Sequence, residues 1–89
     1  MVWGKGAIQV FPEVIEVEAY AGFKGAEQPR VFVWRGRRLR VERTQETWHQ
    51  QDLEGKRKVF FRVEASDSKS YLLSHSSDID EWSLEEEPR

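Results

Sequence analysis

The sequence contains no cysteine, no asparagine and a single methionine, Met1. The lack of cysteine excludes a disulfide framework, thiol catalysis and a cysteine-ligated zinc site. No apolar run approaches the roughly 18 residues of a membrane-spanning helix. The N-terminal stretch MVWGKGAIQVF lacks the continuous apolar segment of a signal peptide. We therefore expect a cytoplasmic protein with no membrane partner.

The length of 89 residues is enough for one domain and too short for two. A chain of this size buries only about 60–65% of its unfolded surface, so it needs well-packed aromatic side chains or a partner surface. Charged residues make up 34% of the chain. Together with the missing asparagine, this composition is typical of a thermophile protein, and chance in a short chain is the alternative. A melting midpoint in the ordinary mesophile range would contradict the thermophile interpretation.

Charge is unevenly distributed along the chain. Residues 30–62 carry a net charge of +6, whereas residues 1–29 and 63–89 carry −2 and −6, which leaves −2 in all. Such asymmetry can mark a polyanion-binding surface. It can equally mean that basic strands pair with acidic strands inside one sheet. Both interpretations stay open at this point.

Alternating apolar and polar residues predict β-strands along most of the chain. In Glu13–Tyr20, the residues Ile15, Val17 and Ala19 share one face. Residues 21–29 are predicted to be a loop because they contain Gly22, Gly25 and Pro29.

The clearest local signal is a predicted β-hairpin over residues 30–43. Gly36-Arg37 is predicted as its two-residue turn, which places Trp34 opposite Leu39. The face predicted to be core carries Phe32, Trp34, Leu39 and Val41. The opposite, more exposed face carries Val31, Val33, Arg35, Arg38, Arg40 and Glu42.

The strand after this hairpin is expected to continue to Trp48. In a regular strand, Val41 and Trp48 would point to opposite faces, so a bulge near residues 43–45 is predicted to bring both to the core face. A short helix over residues 44–52 is the alternative. Further strands are predicted around Val59–Val63, Tyr71–Leu73 and Trp82–Leu84, with a turn centred on Asp67-Ser68. Trp34, Trp48 and Trp82 are predicted to lie in the core.

The predicted fold is mostly β, with about six antiparallel strands in a meander that is rolled into a small barrel or a strongly curved sheet. Residues 12–85 form a single β domain. Residues 1–11 are an N-terminal extension, in which residues 4–11 are a candidate extra strand. Residues 86–89 form an acidic tail, and the chain from Glu85 onward is predicted to be solvated and is the candidate for disorder.

Several segments together resemble a known domain family. They are Phe32–Arg37, Val41, Trp48, Val59–Val63, Tyr71–Leu73 and Trp82–Leu84. They resemble a bacterial family of small domains of unknown function, also associated with the C-terminal region of ImuB-type, polymerase-like DNA-repair proteins. The resemblance covers residues 12–85, and F-x-W-R-G-R is its most specific element. Residues 49–56 depart from the family's more aromatic pattern. The resemblance implies no catalytic residues and a context of DNA repair.

A candidate nucleic-acid site consists of Arg35, Arg38 and Arg40 on one face of the hairpin, with Arg37 at its tip. Guanidinium groups suit phosphate because they offer paired donors and keep their charge. DNA or a DNA-repair protein is the corresponding partner. The alternative is a solvated face in which these arginines pair with Glu16, Glu18 and Glu42.

A second candidate surface is apolar. Phe60 and Tyr71 are predicted to lie on the face opposite Val59 and Phe61, and Trp3 stands in a glycine-flanked terminus. These three residues form a candidate interaction surface that would suit a homodimer.

Catalytic chemistry has no support in the sequence. His49 and His75 have no neighbouring metal-ligand motif, and His75-Ser76-Ser77-Asp78 cannot form a triad through sequence proximity alone. We therefore expect no enzyme activity, no cofactor and no metal. The expected function is a non-catalytic binding or interaction module with nucleic-acid contact through the arginine hairpin. The alternative is a homo-oligomeric protein–protein interaction domain.

Overall fold

All regular structure in the described part of the chain is β-strand. The computed structural model describes residues 10–21 and 27–89, so Trp3 and most of the candidate strand at residues 4–11 lie outside it. The six strands are β1 (Glu13–Ala21), β2 (Glu27–Trp34), β3 (Arg37–Gln51), β4 (Arg57–Ala65), β5 (Ser70–Ser76) and β6 (Glu81–Leu84). No helix within these ranges has the length and apolar character needed to cross a membrane.

The six strands form a closed antiparallel barrel in sequence order, with β6 returning to β1. This confirms the predicted meander. The short helix considered for residues 44–52 is wrong, because residues 44–51 belong to β3. The predicted loop over residues 21–29 is also too long, because β1 runs to Ala21 and β2 begins at Glu27. The barrel closes over three pairs only, which join residues 13–15 to residues 82–84.

Side chains that point into the barrel form one apolar core. Tyr71 is fully buried in this core, with its ring edge-on to Phe32 at 4.9 Å and to Trp34 at 6.0 Å between centroids. The buried apolar residues are Phe32, Trp34, Leu39, Phe61, Val63, Ala65, Tyr71, Leu73, Trp82 and Leu84. Ile15, Val17, Ala19 and Val41 pack against them, so the core faces predicted for β1 and for the hairpin are confirmed.

The β2–β3 turn lies one residue earlier than predicted. Its central residues are Arg35 and Gly36, whose φ angles of 53° and 73° are those of a type I′ turn. Trp34 therefore pairs with Arg37, and Phe32 pairs with Leu39. The pairing differs from the prediction by two residues, and an even shift leaves every side chain on its predicted face. Arg37 is thus the first residue of β3 and not the tip of the hairpin.

Trp48 was predicted to be core and lies on the outside of the barrel. The expected bulge near residues 43–45 is present, but β3 shifts register twice, between Val41 and Arg43 and between Thr44 and Glu46. One bulge would have brought Trp48 to the core face, and the second reverses that change. Trp48 consequently pairs with Phe60 on the outer face.

Tyr71 also lies on the other face from the one predicted. The β4–β5 connection has three residues between Ala65 and Lys69, and its last residue, Ser68, has a φ of 69°. A two-residue turn at Asp67-Ser68 would have placed Tyr71 opposite Glu64. The longer loop pairs Tyr71 with Val63, so its side chain enters the core.

The acidic tail is docked and not solvated as predicted. The Glu85 N–H donates to the Leu72 carbonyl, and Ser70 and Arg89 exchange backbone hydrogen bonds of 2.8 and 3.0 Å. The Ser74 hydroxyl also donates to Glu85 Oε2 at 2.6 Å. The last residues therefore continue the pairing along β5 beyond the end of β6.

Candidate functional site

Two of the predicted nucleic-acid residues lie on a face with alternating charge. Arg38 and Arg40 project outward from β3, while Glu18 projects outward from β1 on the other side of β2. Arg38 pairs with Glu18 at 2.6 Å, and Arg40 pairs with Glu42 at 2.7 Å. The hydrogen bond from Arg38 lowers the pKa of the Glu18 carboxyl. Pairing of basic with acidic strands, the alternative raised by the charge distribution, is thus present in the barrel.

Arg37 and Arg35 lie at the end of the barrel near the β2–β3 turn. Arg37 donates to Asp67 Oδ2 at 2.9 Å, and the Tyr71 hydroxyl donates to the same oxygen at 2.6 Å. The guanidinium of Arg35 lies 4.3 Å from the Trp34 ring centroid, a cation–π contact. Among the described residues, Arg35 is the one member of the predicted set without a carboxylate partner.

Burial and hydrogen bonding shift the pKa of the Asp67 carboxyl in opposite directions. Burial alone would raise the pKa of its carboxyl, but hydrogen bonds from the Tyr71 hydroxyl, the Lys69 N–H and Arg37 together hold that pKa below its usual value. Burial, followed by the bond to Asp67, raises the pKa of Tyr71 to about 12. Arg37 is therefore fixed at the barrel end, where its guanidinium is paired with a largely buried carboxylate.

A groove that the sequence did not indicate lies beside the arginine hairpin. β2 and β3 pair only over residues 31–34 and 37–40, after which β3 bulges and follows β4. The strands separate there and leave a groove of about 530 Å³. We call it the basic groove; its lining includes Tyr20, Gln28, Arg30, Arg40, Glu42, Arg43 and Thr44.

The basic groove combines cations with an exposed aromatic ring. Tyr20 is 50% exposed, and the Arg30 guanidinium lies 5.7 Å from its ring centroid. Arg40 and Arg43 are exposed, and Arg43 pairs with Glu64 at 2.6 Å. Of the predicted set, only Arg40 lines this groove. Tyr20, Arg30 and Arg43 were missed as site residues, because their meeting depends on the separation of β2 from β3.

The predicted interaction surface is not assembled in the described residues. Phe60 lies on the outer face, stacked on Trp48 with 5.4 Å between ring centroids and 5° between ring planes. Tyr71 is buried inside the barrel and cannot share a surface with Phe60. Trp3 lies outside the described residues.

Potential metal ligands meet at the opposite end of the barrel from the β2–β3 turn. Glu27 at the start of β2, His75 in β5 and Asp80 in the β5–β6 turn each bring one ligand atom within 4.8 Å of the others. The sequence did not indicate this cluster, because its members come from three segments and have no motif spacing.

Comparison with known proteins identifies a domain family. Residues 7–87 match the family described as Domain of unknown function (DUF6504). This match extends beyond the resemblance over residues 12–85 at both ends. No curated protein and no solved structure matches the chain.

Proposed function

The chain belongs to the DUF6504 family, and we propose that it is a non-catalytic binding module that holds single-stranded nucleic acid in the basic groove. The observation that carries this proposal is the meeting of Arg30, Arg40 and Arg43 with the half-exposed Tyr20 ring in one groove. Arginine suits phosphate, and an exposed aromatic ring suits an unpaired base.

The charges of the groove favour an anionic ligand. Three guanidinium groups line it against one carboxylate, Glu42. Arg40 and Arg43 are held by exposed ion pairs, which contribute little to stability and exchange readily for phosphate contacts. Arg30 has no ion pair within residues 10–21 and 27–89 and lies over the Tyr20 ring instead, so a base that stacks on Tyr20 would lie beside this guanidinium.

Fluorescence anisotropy with labelled single-stranded DNA and RNA at two salt concentrations tests the proposal. We expect binding that weakens as salt rises, because each phosphate contact releases counterions. Arg40→Glu and Arg30→Glu should each weaken binding, and Tyr20→Ala should weaken it with an unchanged salt dependence.

The hairpin offers a matched control. Arg38 has the same charge and strand as Arg40 and also makes an ion pair, but it lies outside the groove. Arg38→Glu should therefore weaken binding less than Arg40→Glu. Equal losses would indicate diffuse attraction to the hairpin as a whole, and no binding at low salt would refute the nucleic-acid proposal.

A context of DNA repair extends this proposal and rests on the resemblance to ImuB-type proteins. It would be supported by preferential binding to single-stranded gaps or junctions over intact duplex. Equal affinity for all of these substrates would give it no support.

A second candidate function is self-association through the face that carries Glu18, Arg38 and Arg40. Acidic residues on β1 and basic residues on β3 flank Val31 and Val33 of β2. Such a face can be self-complementary under a two-fold axis, with each acidic edge against the basic edge of the partner. Sedimentation equilibrium at increasing concentration tests it, and a monomeric mass throughout would exclude it.

A further inference from the structure

We propose that Glu27, His75 and Asp80 form a binding site for a divalent transition-metal ion, with Zn²⁺ as the best match. None of these three residues lines the basic groove, although Gln28 lines both the groove and the pocket that holds the cluster. It consists of one imidazole and two carboxylates, the nitrogen and oxygen ligands that zinc accepts.

The distances between the ligand atoms suit one ion. His75 Nε2 lies 2.9 Å from Asp80 Oδ1 and 4.0 Å from Glu27 Oε1. Ligand atoms around a tetrahedral zinc ion are roughly 3.3 Å apart, given bonds of about 2.0–2.1 Å. The two distances from His75 lie on either side of that value, and the two carboxylate oxygens are within 4.8 Å of each other, so movement of the exposed Glu27 and Asp80 side chains would bring all three atoms onto one ion.

His75 is held in place for this role by its surroundings. Its side chain is only 9% exposed, and its ring stacks on Trp82 with 4.4 Å between centroids. Nε2 nevertheless reaches the carboxylates at the edge of an open pocket of about 480 Å³. A fixed imidazole loses little freedom on binding a metal ion, while the exposed Glu27 and Asp80 can adjust to it.

The position of the cluster gives the ion a structural consequence. β1 and β6 pair over residues 13–15 and 82–84 only, so strand pairing does not join these strands at this end of the barrel. A metal ion would connect the start of β2, through Glu27, to β5 and to the β5–β6 turn. The ion would therefore link strands at the end of the barrel where β1 and β6 are not hydrogen-bonded to each other. Because the ion binds the folded protein, it should stabilise the folded state by mass action.

The ligand set distinguishes between metal ions. An imidazole favours Zn²⁺ and its transition-metal neighbours over Mg²⁺ and Ca²⁺, which prefer oxygen ligands alone. We expect isothermal titration calorimetry to show one Zn²⁺ per chain, with Mg²⁺ and Ca²⁺ binding much more weakly. The melting temperature should rise with Zn²⁺ concentration.

The decisive variant is Asp80→Asn. Asp80 has a φ of 51°, and asparagine tolerates this left-handed conformation, so the substitution removes the charged ligand without straining the turn. Asp80→Asn and Glu27→Gln should each weaken Zn²⁺ binding at least about tenfold. Asp78→Asn, in the same turn but outside the cluster, is the matched control and should bind like the unaltered protein.

Circular dichroism without metal will show that each variant keeps its fold. Three results would overturn the proposal: no stoichiometric Zn²⁺ binding, unchanged affinity in Asp80→Asn, or an equal loss in Asp78→Asn. His49→Ala adds a further test, because His49 lines the same pocket but does not belong to the three-residue cluster. An equal loss in His49→Ala and Asp80→Asn would overturn the three-residue assignment.

Discussion

The Tyr71 hydroxyl donates a 2.6 Å hydrogen bond to Asp67 Oδ2, which also accepts from Arg37 at 2.9 Å. The Tyr71 side chain is fully buried in the core, so this bond joins the barrel interior to the β4–β5 loop and to the first residue of β3. The polar end of a buried aromatic residue is thereby satisfied.

Tyr71→Phe should reduce the free energy of unfolding by roughly 1.5–3 kcal/mol at neutral pH, the usual contribution of a hydrogen bond to a charged group. The pKa of Tyr71 is about 12 in the folded protein, above the value of roughly 10 expected when unfolded. Its stabilisation is therefore complete below about pH 10 and is lost as the pH rises toward 12. Urea unfolding between pH 8 and 12 should show a smaller alkaline loss in Tyr71→Phe. Tyr20→Phe is the control, and an equal effect there would contradict this account.

Gly36→Ala should destabilise the hairpin through the backbone alone. An added Cβ at Gly36 would meet no atom within 4 Å, but its φ of 73° is unfavourable for a residue with a side chain. We expect a loss of about 1–2 kcal/mol, measured by chemical unfolding. Gly36→Asn should lose less, because asparagine tolerates this conformation better than alanine. Equal losses would indicate a cause other than φ.

The sequence was sufficient to predict the strands, the meander and most of the core, because alternation of apolar and polar residues determines which face is buried. The predictions were wrong where one extra residue in a bulge or loop moves the side chains that follow it to the other face of the sheet. The second bulge in β3 placed Trp48 outside, and the three-residue loop before β5 placed Tyr71 inside. Neither has a distinctive residue signature. The groove at Arg40 and the cluster at His75 depend on strand separation and closure, which alternation within single strands does not encode.

Arg38→Gln should raise the pKa of Glu18. The hydrogen bond from Arg38 is the main cause that lowers this pKa in the barrel. Removing the guanidinium should return the carboxyl toward its ordinary value, as measured by NMR titration of the Glu18 side chain. Thermal stability should change little, because both groups are exposed. An unchanged pKa would show that the pair does not persist in solution.

The outer Trp48–Phe60 stack should contribute less to stability than Trp82, one of the two core tryptophans. Trp82 is 6% exposed and contacts Phe61 and His75. Trp82→Ala should therefore reduce the free energy of unfolding by about 3–5 kcal/mol. Trp48→Ala should cost less than half as much, since its ring packs mainly on Phe60 at the surface.

A double-mutant cycle of Trp48→Ala with Phe60→Ala isolates the stacking contribution. We expect a coupling of about 0.5–1.5 kcal/mol from chemical unfolding, the usual range for an aromatic pair beyond its buried area. If Trp48→Ala were as damaging as Trp82→Ala, Trp48 would have to lie in the core, which a single bulge in β3 would produce. The cycle therefore distinguishes the double bulge from a single bulge, because a single bulge would turn Trp48 to the core face and away from Phe60.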